Sequence, residues 1–262
     1  MNIHDFYEMK KNKKSISMLT CYDYTMARIL NSTEVNCLLV GDSLAMVMHG
    51  FANTLGASVE MMALHTAAVC KGAPQKFIVG DLPFMSYRKG LTQNMTAIEK
   101  IMQAGAHAVK LEGAAGNLKL IQHSVQSGAP VMGHLGLTPQ SVHQLGGFKV
   151  QGRDKKAQEI LKEQSLQLQD AGCFSLVLEC VPAVIAEEIA QSLEIPVIGI
   201  GAGANVDGQV LVLQDMLGMN NQFQPKFLKK YLDGFKLIAD AANEFHNEVQ
   251  AHQFPGKEHS HL

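Results

Sequence analysis

The chain has 262 residues, 47% of them hydrophobic and 18% charged, and a formal net charge of −2 at pH 7. This composition can build a large core and excludes a disordered chain, and the near-neutral charge excludes the basic surface that a nucleic-acid-binding protein presents. No stretch is apolar over the length that a membrane span requires. We therefore expect small-molecule substrates, with no nucleic-acid or membrane partner.

The amino-terminal segment and the cysteines bear on the compartment. Residues 1–14 lack the apolar stretch of a secretory signal. The cysteines are odd in number and scattered, unlike a disulfide framework or a zinc site. Both features predict a cytoplasmic protein.

From Ser15 onward, short apolar runs alternate with segments of helical period, and most runs end in a residue that can do chemistry. The predicted strands are Ile16–Thr20, Asn36–Asp42, Phe77–Asp81, Ala108–Gly113, Pro130–His134, Phe174–Glu179, Ile195–Gly201 and Val210–Leu213. The predicted helices cover about 25–31, 60–71, 92–105, 117–127, 154–172 and 182–189, and a last one starts at Pro225.

This alternation predicts the α/β class with a parallel sheet, and a count of eight strands favours closure into a (β/α)8 TIM barrel. A doubly wound open sheet is the alternative. We expect a single domain over residues 1–262 that ends in a short polar tail from His246. The long connection Leu135–Arg153 is typical of a functional loop or lid.

Chemically active side chains collect at the predicted carboxyl ends of the strands, where the active sites of TIM barrels lie. Residues two apart on a strand share a face, so Asp42 should point the same way as Val40, and Asp81 the same way as Val79. The residues expected to converge on the barrel mouth are Asp42, Asp81, Lys110, Glu112, His134 and Glu179.

Three of these residues, Asp42, Asp81 and Glu112, are carboxylates on neighbouring strands, and they repel one another unless a cation lies between them. Hard oxygen ligands favour Mg²⁺. The alternative is that one or two of these acids cap helices or form salt bridges with Lys110.

The other polar residues also allow two readings each. Glu179 could act as a general base or pair with a cation on a loop. His134 could donate a hydrogen bond to the substrate or be a structural histidine. Lys110 could be a Schiff-base nucleophile, but beside Glu112 it is more simply a partner for a substrate carboxylate or for a metal ligand.

A series of segments, running in order through nearly the whole chain, resembles the ketopantoate hydroxymethyltransferase family. They include Leu39–Leu44, Asp81–Met85, Val109–Gly113, Gly133–Ser141, Lys149–Arg153, Leu178–Pro182 and Pro255–His259. The resemblance implies a (β/α)8 barrel, Mg²⁺ and a step of pantothenate biosynthesis. In that step, a hydroxymethyl group passes from 5,10-methylenetetrahydrofolate to 3-methyl-2-oxobutanoate, through a Mg-stabilised enolate, and gives 2-dehydropantoate.

The resemblance also implies roles for individual residues. Asp42, Asp81 and Glu112 correspond to the metal-site carboxylates, and Glu179 corresponds to the proton acceptor. The keto acid would be bound by Asp42, Ser43, Asp81 and Lys110, and we expect His134 to donate a hydrogen bond to it. The family further implies a homodecamer.

Two other functions compete with this one. The first is another Mg-enolate barrel, a lyase or mutase acting on a pyruvate-like 2-oxo acid, which would work without folate. The second is a catalytically silent metabolite sensor.

Overall fold

The computed structural model describes residues 1–222 and 224–261, and it contains a closed barrel of eight parallel strands. The strands follow one another around the barrel in chain order, and the last pairs with the first to close it. Their bounds are β1 Ile16–Thr20, β2 Cys37–Val40, β3 Phe77–Asp81, β4 Ala108–Glu112, β5 Val131–Gly136, β6 Ser175–Glu179, β7 Val197–Ile200 and β8 Gly208–Leu211. The predicted (β/α)8 barrel is confirmed.

Helices connect most of the strands, and the turn 201–207 joins β7 to β8. The helices are α1 Ile3–Lys11, α2 Tyr24–Asn31, α3 Leu44–Val47, α4 Val59–Gly72, α5 Leu91–Gln103, α6 Leu118–Gln126, α7 Val142–Leu145, α8 Lys155–Asp170, α9 Ala183–Ser192, α10 Leu213–Met216 and α11 Gly234–Gln250. Side chains that accept a backbone N–H start several of them, as Asp23 does for α2, Ser58 for α4 and Asp154 for α8. Among the described helices, none has the length and apolar character needed to cross a bilayer.

The interior of the barrel is a single apolar cluster to which every strand contributes at alternate positions. Its buried members are Phe6, Ile16, Met18, Cys37, Leu39, Phe77, Val79, Ala108, Met132, Phe174, Val177, Ile198 and Val210. This cluster occupies the amino ends and the middle of the strands. Only residues nearer the carboxyl ends are therefore left to form a site.

Helix α1, which was not predicted, seals the amino-terminal end of the barrel. Asn2 starts it with a capping box, accepting a hydrogen bond from the His4 backbone N–H at 2.8 Å while Asp5 accepts one from the Asn2 N–H. Its Phe6 ring is 0% exposed and lies 5.2 Å from both Phe77 and Phe174 in edge-on contacts. The mixed polar sequence of residues 1–14 concealed this helix because Phe6 is its one fully buried side chain.

Strand β8 begins two residues before its predicted start at Val210 and also ends two residues early. The predicted bounds Val210–Leu213 are therefore wrong. The strand starts at Gly208, where a β-carbon would lie 2.4 Å from the Ile16 carbonyl oxygen. Only glycine allows β8 to approach β1 this closely. Leu213 instead lies in α10, which Val212 precedes.

The chain divides into two compact units, Met1–Leu211 and Val212–Leu262, and the barrel belongs to the first. The second contains α10 and α11. A single domain therefore stays a prediction.

The helix predicted to start at Pro225 is wrong, because the second unit's long helix begins only at Gly234 and then continues through His246. The backbone N–H of Tyr231 donates to the Met216 carbonyl at 2.8 Å, and that of Gly234 donates to Leu217 at 2.9 Å. These bonds to the end of α10 take the place of the i to i−4 bonds that a helix would need.

Candidate active site

A layer of charged side chains lies at the carboxyl ends of the strands, above the apolar interior. In the barrel register Asp81 pairs with Lys110, and Glu112 pairs with His134. All four residues are no more than 3% exposed, while the Glu179 side chain is 18% exposed. Together with Asp42, these residues form what we call the mouth cluster. Since its charges are withdrawn from water, they must be balanced by one another or by a ligand.

Lys110 is the buried cation of the mouth cluster. Its Nζ lies 2.8 Å from Asp81 Oδ1 and 3.3 Å from His134 Nδ1. Burial alone would lower the pKa of the Lys110 ammonium, but the carboxylates of Asp81, Glu112 and Asp42 outweigh burial and raise it. Lys110 therefore carries its charge at neutral pH. A protonated amine has no lone pair for a carbonyl, which argues against the Schiff-base alternative.

His134 lies between two carboxylates. Its Nδ1 is 3.4 Å from Glu112 Oε1, and its Nε2 is 3.3 Å from Glu179 Oε2. Burial and the nearby Lys110 lower the pKa of His134, but the two carboxylates prevail and raise it to about 9. The imidazole is therefore protonated at neutral pH, and its approach to Lys110 is a like-charge contact that the carboxylates compensate.

Asp42 and Ser43 lie in the turn between β2 and α3. The Asp42 backbone N–H donates to Asp81 Oδ2 at 3.2 Å, and Ser43 Oγ lies 2.8 Å from Tyr22 Oη. Burial, together with the Asp81 and Glu112 carboxylates, raises the pKa of Asp42 well above its ordinary value. Burial contributes most to this shift, and the two carboxylates add to it.

The expectation that Asp42 reaches the mouth on the same strand face as Val40 is wrong. Strand β2 ends at Val40, and it contributes Cys37 and Leu39 to the barrel interior. Val40, one residue from Leu39, faces outward. Asp42 reaches the site because the chain turns after Gly41. For Asp81, the expectation holds, since Val79 belongs to the interior cluster.

Two residues of the site were missed at the sequence level, Gln140 and Tyr87. Gln140 lies in the 3₁₀ turn Pro139–Ser141, inside the connection marked as a functional loop. Its Nε2 donates to Asp42 Oδ2 at 2.8 Å, and its backbone N–H donates to Glu112 Oε2 at 3.0 Å. Tyr87 Oη donates to Gln140 Oε1 at 2.7 Å. The signals for Gln140 were the length of its loop and its place in the family-like segment Gly133–Ser141, and Tyr87 had none.

The structure thus brings the sequence-predicted residues to one place. Asp42, which Ser43 follows in the same turn, contacts Asp81, and Asp81 contacts Lys110. Lys110 in turn contacts His134. His134 contacts both Glu112 and Glu179. No predicted site residue lies apart from this group.

Comparisons with known proteins give this arrangement a family. The family model for ketopantoate hydroxymethyltransferase matches residues 1–257. The 3-methyl-2-oxobutanoate hydroxymethyltransferase of Bdellovibrio bacteriovorus is 66% identical over 258 residues, covering 98% of each chain. The enzyme of that name from Coxiella burnetii is 60% identical, over 97% of this chain and 96% of its own. The chain belongs to the ketopantoate hydroxymethyltransferase family.

A solved structure is similar to the chain in fold. It is 2,3-dimethylmalate lyase, a member of the PEP mutase/isocitrate lyase superfamily, with a TM-score of 0.60 and 17% identity, covering 95% of this chain and 98% of its own. At this identity, the likeness concerns the barrel alone. Membership of the ketopantoate hydroxymethyltransferase family, whose members are transferases by name, therefore outweighs the lyase or mutase alternative.

The donor atoms of the mouth cluster include buried carboxylate oxygens, the type of ligand that a hard cation such as Mg²⁺ takes. Glu112 Oε1 is buried and makes no hydrogen bond with the described part of the chain, although His134 Nδ1 approaches it to 3.4 Å as an ion pair. Burial, and to a smaller extent the neighbouring Glu112, raise the pKa of Asp81 despite its pairing with Lys110. Within residues 1–222 and 224–261, no three His, Cys, Asp or Glu side chains form a ready cage. Mg²⁺ does not require one, because it keeps several waters and uses one or two carboxylates.

Proposed function

We propose that the protein transfers a hydroxymethyl group from 5,10-methylenetetrahydrofolate to 3-methyl-2-oxobutanoate, giving 2-dehydropantoate, with Mg²⁺ as cofactor. The observation that carries this proposal is a buried lysine among carboxylates at a barrel mouth, in a chain of the ketopantoate hydroxymethyltransferase family. One water is consumed, because the donor carries the methylene carbon without its oxygen.

Asp42, Asp81 and Glu112 would hold the metal, one or two of them directly and the others through its water ligands. When bound, Mg²⁺ supplies a Lewis acid that polarises the keto oxygen of the substrate. It would also balance the negative charge of the mouth cluster, in which Lys110 and His134 are the cations paired with the carboxylates.

Lys110 and Ser43 would hold the carboxylate of the keto acid. Lys110 provides a buried positive charge, and Ser43 provides a hydroxyl that Tyr22 Oη holds in place at 2.8 Å. His134, protonated and fixed between two carboxylates, would donate a hydrogen bond to the substrate once one of its N–H groups turns from a carboxylate to it.

Glu179 would remove the proton from C3. The C3–H bond breaks, its electrons form the C2–C3 double bond, and negative charge develops on the keto oxygen. C3 then forms a bond to the methylene carbon of the folate donor, both C–N bonds of that carbon break, and the consumed water supplies the hydroxyl oxygen of the product. The two protons of the water and the C3 proton taken by Glu179 end on the two folate nitrogens and the new hydroxyl. Glu179 suits this role because its side chain is the most exposed of the described contact partners of His134 and can reach a substrate above the barrel.

The deciding experiment follows the C3 proton. Protein incubated with 3-methyl-2-oxobutanoate and Mg²⁺ in D₂O should exchange C3–H for deuterium without any folate, as read by proton NMR. EDTA should stop the exchange, and added 5,10-methylenetetrahydrofolate should convert the keto acid to 2-dehydropantoate. Exchange that needs no metal would contradict the proposed role of Mg²⁺. Turnover that needs no folate would favour the lyase or mutase alternative, and a complete lack of exchange would favour the sensor.

The homodecamer and the cytoplasmic location also remain proposals. In the barrel unit, large apolar side chains such as Leu64, 73% exposed, and Val184, 65% exposed, favour assembly of several copies. Light scattering on the purified chain tests this, and a monomer at working concentration would contradict it.

A further inference from the structure

Gln140 is nearly buried, at 5% exposed, yet it belongs to the loop after β5 and to no barrel strand. Its side-chain amide donates twice, to Asp42 Oδ2 at 2.8 Å and to the Leu82 carbonyl at 2.9 Å, and accepts once, from Tyr87 Oη at 2.7 Å. Both amide protons and the amide oxygen are therefore in use.

These partners leave one possible orientation for the amide. Turned over, its oxygen would face the Asp42 carboxylate and the Leu82 carbonyl, which are both acceptors. Tyr87 supports the observed orientation, because its hydroxyl accepts from the Glu112 backbone N–H at 3.3 Å and so directs its own proton to Gln140. Tyr87 is itself 4% exposed, so water offers little competition for this bond.

The backbone of Gln140 acts on a second carboxylate. Its N–H donates to Glu112 Oε2 at 3.0 Å, which leaves Glu112 Oε1 as the oxygen without a hydrogen bond in the described chain. One loop residue thus holds one oxygen of Asp42, from the end of β2, and one oxygen of Glu112, from the end of β4.

We propose that Gln140 is a positioning residue that sets the two carboxylates for Mg²⁺ and couples the loop 135–153 to the metal site. It acts through Asp42 and Glu112 and touches neither the reacting carbon nor the base. The inference rests on the proposed function, because it takes those carboxylates as metal ligands. Hydrogen-bonding partners of metal ligands typically change metal affinity by about 10–100-fold when they are removed.

The test is a calorimetric titration of Mg²⁺ into the protein without substrate. Gln140→Leu should weaken Mg²⁺ binding about tenfold or more. The rate of C3 exchange should then recover toward wild type at high Mg²⁺, because Lys110 and Glu179 are unchanged. Tyr87→Phe, which keeps the ring and removes only the orienting hydroxyl, should shift the affinity in the same direction by a smaller factor, and it serves if Gln140→Leu does not fold.

Gln151→Leu is the matched control. This glutamine lies in the same loop, and its amide donates to the Lys149 carbonyl at 2.9 Å rather than to a carboxylate. It should leave Mg²⁺ affinity unchanged. Hydrogen exchange of the loop amides, read by mass spectrometry, should rise in Gln140→Leu, and added Mg²⁺ should protect the loop in the wild type.

The outcomes separate the two proposals. A wild-type protein that fails to bind Mg²⁺ overturns the proposed function and this inference with it. Wild-type binding together with wild-type affinity in both Gln140→Leu and Tyr87→Phe overturns the inference alone, and so does an affinity loss in Gln140→Leu that Gln151→Leu reproduces.

Discussion

The two ends of the barrel are built from the same strands and serve opposite purposes. At the amino end, Phe6 of α1 fills the opening with an aromatic ring packed on Phe77 and Phe174. At the carboxyl end, buried acids surround Lys110 and His134. Apolar closure at one end stabilises the fold, so the other end can hold buried charges that by themselves cost stability.

The comparison is tested most strongly by removing the apolar seal. Phe6→Ala should destabilise the protein by roughly 3–5 kcal/mol, because it leaves a cavity among aromatic rings. Denaturant unfolding measures this, and Phe6→Leu, which keeps most of the volume, is the control with the smaller loss. The folded fraction should keep its Mg²⁺ affinity. A matching loss of Mg²⁺ binding would show that the two ends are not independent.

At the opposite end, Glu179→Gln should leave the free energy of unfolding unchanged and slow the removal of the C3 proton. The amide cannot accept the C3 proton, so deuterium exchange at C3 should fall on the order of a hundredfold or more. Mg²⁺ and keto-acid affinity should stay close to wild type by calorimetry. Glu163→Gln, the same substitution on α8 outside the barrel mouth, is the control and should leave the exchange rate unchanged. Near-normal exchange in Glu179→Gln would assign the proton transfer to another group.

Each end also contains one aspartate–lysine pair, which allows a matched test. Asp81 pairs with Lys110 at 2.8 Å in the mouth, and Asp207 pairs with Lys10 of α1 at 2.7 Å. Asp81→Asn should weaken Mg²⁺ and keto-acid binding together, each about tenfold, since it removes a ligand oxygen's charge and the counter-ion of Lys110.

Asp207→Asn should lower only the stability, by roughly 1–2 kcal/mol. Calorimetry and thermal unfolding on both variants make the comparison. Equal losses of ligand binding in the two variants would contradict the assignment of stability to the amino end and of ligand binding to the carboxyl end.

The smallest expected effect concerns the cap that holds the seal. Asn2→Ala removes the acceptor for the His4 N–H and should cost about 1 kcal/mol. Asn2→Ser should restore most of that stability, and C3 exchange should not change in either variant. If Asn2→Ala leaves the unfolding midpoint in place, the cap does not contribute to the stability of the seal.

Most of the barrel could be predicted, because its strands are short apolar runs bounded by glycine, proline and helical segments. The failures share one cause. Strand β8, helix α1 and the segment before α11 depend on contacts distant in sequence: a glycine against the Ile16 carbonyl, a phenylalanine between two rings, and backbone bonds from Tyr231 to Met216. Local periodicity contains none of this information.

The candidate residues of the mouth cluster followed from position, since a charged residue at the end of an apolar run must lie at the rim of a closed barrel. How they pair did not follow. That Asp81 contacts Lys110, that His134 lies between Glu112 and Glu179, and that Gln140 holds two acids from a loop depend on strand register and loop path.

By itself, the sequence determined which chemical groups this protein brings to the mouth. The apolar runs form the buried strands, and the acids, the lysine and the histidine lie at the carboxyl ends of those runs. The tertiary structure alone decided how those groups balance one another. Closure of the barrel removes them from water, and in that environment a pairing distance of about 3 Å sets which group is charged and which oxygen is left for a ligand.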